Sequence, residues 1–287
     1  MTAATLAPSA GATNTTRPGV TFGRVLRSEW IKFTSLRSTF WTSAIILVLW
    51  IGLAAMLAAT APTELAPGAD PDENGRFLLG TVVTTGASIG VLVAAIQGVL
   101  IISGEYSTGM IRSSLAAVPR RLPVLFGKAI VAFVWMFLLG AVGVLGSLGV
   151  AAALFTARDI PLVIDGDVLT AFAGAALYLG LVAVFGLGIG TAVRSSAGGI
   201  AIALGVLLVL PTLLMVLSSW LDWIGDVMKF LISQAGSTLA SVPGPSAMAL
   251  GGAADDALTP AVAAIVVLVW AVAALVLGAI ALKRRDA

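Results

Sequence analysis

The sequence predicts an all-α polytopic membrane protein with six transmembrane helices and both termini in the cytoplasm. Three observations predict it. Of the 287 residues, 59% are hydrophobic and only 10% are charged, whereas soluble domains carry about 25% charge. Mean hydropathy is +1.07. Six apolar runs each reach the length that spans a roughly 30 Å hydrocarbon core at 1.5 Å per residue. The charges outside these runs fall on two sides of opposite sign.

The spans cover 40–59, 77–102, 129–157, 171–192, 197–217 and 261–282. Chain order places the N-terminus, the 103–128 loop, Arg194 and the C-terminus on one side. That side carries thirteen Lys/Arg and three acids; the other carries three Lys/Arg and eleven acids. Basic flanks stay in the cytoplasm, which orients the chain and predicts a multi-pass protein of the cell membrane. Residues 1–20, rich in Thr, Ala and Pro, lack an apolar run of leader length and are expected to form a disordered cytoplasmic tail. The membrane domain then covers 21–287.

Composition narrows the chemistry. The chain has no Cys and no His, which excludes a disulfide framework, a thiol nucleophile and an imidazole metal site. A net charge of +2 gives no reason to expect nucleic acid. No GxxxxGKS/T loop is present to cradle ATP phosphates. None of the six apolar runs contains Asp, Glu, Lys or Arg, and buried ionisable groups mark the pathways of proton-coupled carriers. Gln97 is the one strongly polar side chain inside a span. It reads as a helix–helix hydrogen bond, as a partly hydrated site near the cytoplasmic end, or as a substrate contact in a polar pathway. Gly140, Gly143, Gly146 and Gly149 in the third span, and the Gly186/Gly190 pair in the fourth, permit close helix approach. Packing within one subunit and a dimer seam both fit them. Pro211 is expected to bend the fifth span.

Three segments outside the spans have pattern. In 21–39, Phe22, Leu26, Trp30, Phe33 and Leu36 recur at spacings of three and four, with Arg24, Arg27, Lys32 and Arg37 mostly elsewhere on the wheel. This predicts a basic amphipathic helix in the cytoplasmic interface, running without a linker into the first span. In the 103–128 loop, a short helix is expected over about 105–117, with Glu105 in its first turn and a stop at Pro119. Tyr106 and Met110 would anchor it beside Arg112; Lys128 and its neighbours either set topology or help to dock a partner. The 218–260 segment is too long for a plain turn. A helix over about 219–235 is expected, resting on the outer rim or forming part of a shallow re-entrant pair. Asp255 and Asp256 make at most a weak cation site.

Two blocks, FGRVLRSEWIKFTSLRSTFW before the first span and GEYSTGMIRSSLAAVPRR followed by LPVLFGK after the second, resemble the permease subunit of an ABC transporter of the ABC-2 membrane family. The resemblance covers roughly 21–283. It implies six spans, an elbow helix (Phe22, Leu26, Trp30, Lys32, Phe33, Arg37) and short outer helices between the fifth and sixth spans. It also implies a coupling helix, here Glu105, Tyr106, Gly109, Met110, Ile111 and Arg112, that rests in a cleft of a cytoplasmic P-loop ATPase. The implied partners are that ATPase, a second permease of the same or another chain, and the lipid bilayer. ATP and Mg would sit on the ATPase, with no cofactor and no catalysis in this chain, and the implied direction is export. A stand-alone secondary carrier and a non-transporting scaffold or sensor subunit are the other readings of the same spans.

Overall fold

The computed structural model describes residues 21–63, 70–110, 121–221, 223–242 and 258–284. The expected tail over 1–20, the central part of the 103–128 loop, and Asp255 and Asp256 lie outside them. All the regular elements among the described residues are helices: α1 (Phe22–Ser35), α2 (Arg37–Thr60), α3 (Pro71–Thr84), α4 (Ala87–Ser107), α5 (Arg121–Ala157), α6 (Gly166–Val193), α7 (Ser196–Leu204), a π-helical turn (Gly205–Val209), α8 (Leu210–Ser218), α9 (Trp223–Met228), α10 (Ile232–Leu239) and α11 (Pro260–Arg284). Six of the resulting helical stretches are long and apolar enough to cross a membrane. The chain is therefore an all-α, multi-pass membrane protein.

α6 is the axis of the bundle. In its apolar stretch 72% of the residues are buried, against 11% for Ser196–Ser218. It packs on α4, α5 and α11, and glycines set the distances. A methyl group at Gly98 of α4 would overlap the Ala183 carbonyl of α6, and one at Gly186 would overlap the Ala95 carbonyl of α4. Gly190 faces Val99 in the same seam. The Gly186/Gly190 pair thus packs within the subunit. The glycines of α5 do not form one seam. Steps of three residues rotate a helix face by about 60° each, so Gly140 meets Ala176 of α6, Gly143 and Gly146 meet Trp50 and Ile51 of α2, and Gly149 meets nothing within 4 Å.

Several helix ends follow from single residues. Asp70 caps α3 by accepting from the Asp72 amide, with Pro71 at the first position and Asp72 and Glu73 in the first turn, where the exposed amides favour both. Asp165 caps α6 by accepting from the amides of Asp167 and Val168 and pairs with Arg76 at 3.1 Å. Those two amides, Val168 first, together with the guanidinium, hold its carboxyl below the usual Asp value.

The second apolar run divides. α3 and α4 meet at Thr85 and Gly86, and the buried Trp50 fills the joint. Its indole donates to the Val83 carbonyl at 2.8 Å, and a Cβ on Gly86 would overlap its ring. Hydropathy alone reads straight through this break. The fifth span contains a π-helical turn, Gly205–Val209, just ahead of Pro211. A ring at that position leaves no N–H and crowds the carbonyl one turn back; the chain widens just before it, with the Leu210 amide bonding to the Gly205 carbonyl.

Two sequence expectations are corrected here. The helix over 219–235 is instead two short ones, α9 and α10, separated by 229–231. α10 buries Ile232, Ala235, Gly236 and Leu239, a single face at helical spacing. Leu239 meets Gly174, and Gly236 meets the Tyr178 ring. Those positions lie about 12 and 18 Å along α6 from its first residue at 1.5 Å per residue. The Trp270 indole also bonds the Phe230 carbonyl at 2.9 Å from well inside α11. The described part of the segment, through Val242, therefore packs into the bundle rather than resting on its rim. The other correction concerns α1. Its helix ends at Ser35 rather than reaching 39, and Leu36 alone, extended (φ −77°, ψ 112°), joins it to α2 without a linker.

Replacing Gly98 with Ala is expected to cost about 1–3 kcal/mol through overpacking between two backbones, whereas Gly149→Ala, facing open space, should cost nothing. Thermal unfolding of the two purified variants in detergent checks this. The Asp165 charge stabilises the fold at neutral pH, above the unfolded carboxyl value. That contribution disappears as pH falls through the lowered folded value. Asp165→Asn keeps a capping oxygen and should flatten the acid limb of a stability–pH profile.

Candidate functional site

α1, the end of α4 and the first turns of α5 converge on four charges. Lys128, 2% exposed, sends its ammonium to Glu29 Oε2 and to Glu105 Oε1, both at 2.6 Å. Lys32 reaches Glu29 Oε1 at 3.0 Å and Glu105 Oε1 at 3.4 Å. Each lysine thus touches both carboxylates, and the formal charges cancel. Glu29 and Glu105 are themselves buried. Lys32 is partly exposed. Its burial works against its charge, but the hydrogen bond and charge of Glu29 and the charge of Glu105 outweigh that, and its pKa is raised. Its contribution is therefore complete below the ordinary lysine range and lost only above the raised value.

The sequence expectations fare unevenly here. Glu105 does not open a new helix. It lies in the last turn of α4, near the carbonyl end, where an acid is unfavourable unless cations answer it; Lys128 and Lys32 supply them. Lys128 does not lie outside the third helix either, because α5 starts at Arg121. The absence of charge from the six apolar runs is thus not an absence of charge from the helices. On α1, the buried face is Val25, Glu29 and Phe33. Phe22 and Leu36 are exposed, while Leu26 and Trp30 are half-buried. Trp135 of α5 packs against this helix. Its ring meets Phe33 at 5.5 Å and Trp30 at 6.1 Å, edge to face, and its indole donates to Ser43 of α2 at 3.1 Å. Arg37 is exposed at the start of α2.

α4 ends at Ser107, and Gly109 follows at φ +71°, a left-handed position that glycine takes without strain and that commonly closes a helix. Tyr106 lies beneath the Arg194 guanidinium, 5.3 Å from its ring centre. Met110 is exposed. Ile111 and Arg112 lie outside the described residues. The fold thus gathers Lys32, Phe33 and Glu105 in one place, with Met110 at its edge, and adds two residues that the sequence pattern did not single out as a pair, Glu29 and Lys128. Their signal was faint: an acid on the buried stripe of α1, and a lysine eight residues into α5.

Beside the four charges is a cavity of about 580 Å³. It is lined by the four charged residues, by Phe33, Leu36, Leu100 and Ile101, by Ser38, Thr39 and Thr42, and by Gln97. Gln97 is 8% exposed, and neither its amide nitrogen nor its oxygen has a hydrogen-bond partner. It therefore does not make the helix–helix hydrogen bond that the sequence allowed. Glu105 Oε2 likewise has none.

Lys128→Met leaves two buried carboxylates short of a cation and is expected to cost about 3–5 kcal/mol. Lys32→Met, at a partly exposed position, should cost no more than about 1 kcal/mol. Denaturation of the purified variants measures both. Neutralising Glu29 and Glu105 together with Lys128 should recover much of the larger loss, since the cost comes from unpaired charge rather than from the missing contact.

Compared with known proteins, the sequence matches no family model and no curated protein.

Proposed function

We propose that this chain is the membrane-spanning permease subunit of an ATP-driven transporter of the ABC-2 type, coupled to a separate cytoplasmic ATPase through the 103–119 loop. The observation that carries this reading is the four-charge cluster. It joins the amphipathic helix α1 to the end of α4, where that loop begins, and to the start of α5, where it returns. A displacement of the loop acts on α1, α4 and α5 together, because breaking any of these buried contacts would strand a charge. Basic residues gather at this end, so it faces the cytoplasm. There the loop meets the partner, with Met110, Ile111 and Arg112 as its contact residues and Glu105 anchoring its root. ATP and Mg belong to the partner, and this chain positions and moves.

In this mechanism ATP binding closes a pair of ATPase subunits, the loop of each permease shifts, and α1 with α4 and α5 follows as a rigid unit. Only 11% of the apolar α7–α8 stretch is buried in its own chain, and a second permease subunit completes the path against it. Export is the direction this arrangement serves in the family that the sequence resembles. A second reading, a stand-alone carrier, draws on the same cluster, because buried Lys and Glu beside a polar cavity also suit ion-coupled transport.

Affinity purification in gentle detergent should retain a P-loop ATPase in stoichiometric amount, identified by mass spectrometry. Arg112→Glu should leave membrane insertion intact but abolish substrate stimulation of ATP hydrolysis. Transport by the chain alone in ATPase-free proteoliposomes would instead establish the carrier reading.

A further inference from the structure

α1 and α5 leave a groove between them that none of the four clustered charges lines. Its volume is about 390 Å³, and its walls are Leu26 and Trp30 of α1 with Ile130, Val131 and Val134 of α5. Gly23 keeps it open, because a Cβ there would meet nothing within 4 Å. Arg27 lines the same groove and is exposed. It lies two residues before Glu29 and so about 160° away around the helix, on a different face from the buried ion pairs.

The chemistry of the occupant follows from the wall and the rim. The wall is aliphatic and aromatic. It stands where the third apolar run begins, at residue 129, so the groove opens where headgroups give way to hydrocarbon. The rim is cationic. Arg27 has no acidic partner among the described residues, and Arg24 is exposed one turn earlier on the same helix. The two acids described at this end of the molecule, Glu29 and Glu105, are both buried against lysines, so neither competes for the guanidinium. We propose that the groove binds an anionic phospholipid of the leaflet on this side, with its phosphate on Arg27 and the upper part of an acyl chain along Leu26, Trp30, Ile130 and Val134. A guanidinium suits phosphate, and a headgroup without a cation of its own gains most from it. The inference stands apart from the ATPase reading, since it uses no residue of the ion cluster or of the 103–119 loop.

The test uses the full chain in nanodiscs of equal phosphatidylglycerol and phosphatidylcholine, with native mass spectrometry reading the lipid that stays bound on release. The unaltered chain is expected to retain the glycerol lipid about fivefold over the choline lipid. Arg27→Gln should bring that ratio near one. Gly23→Leu should do the same with every charge in place, because the new side chain fills the groove. Arg284→Gln, which removes an exposed cation at the end of α11, should leave the ratio unchanged. Equal retention of the two lipids by the unaltered chain overturns the proposal. A preference that survives Arg27→Gln or Gly23→Leu, or that falls as far in Arg284→Gln, also overturns it, since the attraction then belongs to the basic end as a whole. Dimers that form without lipid preference and are lost in Gly23→Leu give the groove to a second copy of the chain and overturn it too.

Discussion

The ammonium of Lys128 is the contact on which the basic end of this molecule depends. It lies between two carboxylates at 2.6 Å, is almost wholly buried, and connects three helices that meet nowhere else so closely in charge. A lysine in such a place is favourable only because both acids are present, and each acid is tolerable only because of the lysines. The arrangement is therefore collective, and Lys128 cannot be removed without leaving both buried acids short of a cation. Such an interaction gives α1 a fixed position on the bundle, although α1 is too polar to be held there by apolar contact alone. Trp135 adds the apolar half of the attachment, bridging α1 and α2 from α5.

The rest of the bundle is held differently. Along the glycine seam between α4 and α6 the neighbours are backbone and apolar groups, and in hydrocarbon no hydrophobic force favours protein over lipid. Close approach of backbones supplies the attraction, and Gly98, Gly186 and Gly190 make it available. The same device admits α10 into the bundle, where Gly174 receives Leu239 and Gly236 receives Tyr178. The molecule thus has a rigid, tightly packed axis around α6 and an ionic clasp at one end. A signal arriving at the loop after α4 would meet the clasp first.

The spans were legible because hydropathy over some 20 residues is a strong signal, and the two-sided charge pattern followed from their order. Breaks inside the spans were not. The joint at Thr85 and Gly86 depends on Trp50, far away in sequence, donating to the Val83 carbonyl. The α9–α10 segment looked like an ordinary amphipathic connection because its burial comes from partners on α6 and α11. The wheel of α1 assigned its large apolar residues to the headgroup layer, and it gave no sign of which residues meet the bundle, where a tryptophan lies on one side and Lys128 on the other. Glu29 reads in sequence as one more polar residue of an interfacial helix. Only the long-range meeting with α4 and α5 turns it into part of a site. Gln97 was visible as an anomaly, but the cavity beside it was not.

The central claim is that the ion cluster fixes α1 to the ends of α4 and α5, and one measurement tests it most directly. The chain has no native cysteine, so Ile31→Cys and Ser107→Cys give two unique labelling positions, both exposed, on α1 and α4. Nitroxide distances between them, measured in nanodiscs by pulsed electron resonance, should give one narrow distribution that broadens markedly when Lys128→Met is added. A distribution that stays equally narrow without the lysine would contradict the account and leave the apolar contacts of Trp135 as the true attachment.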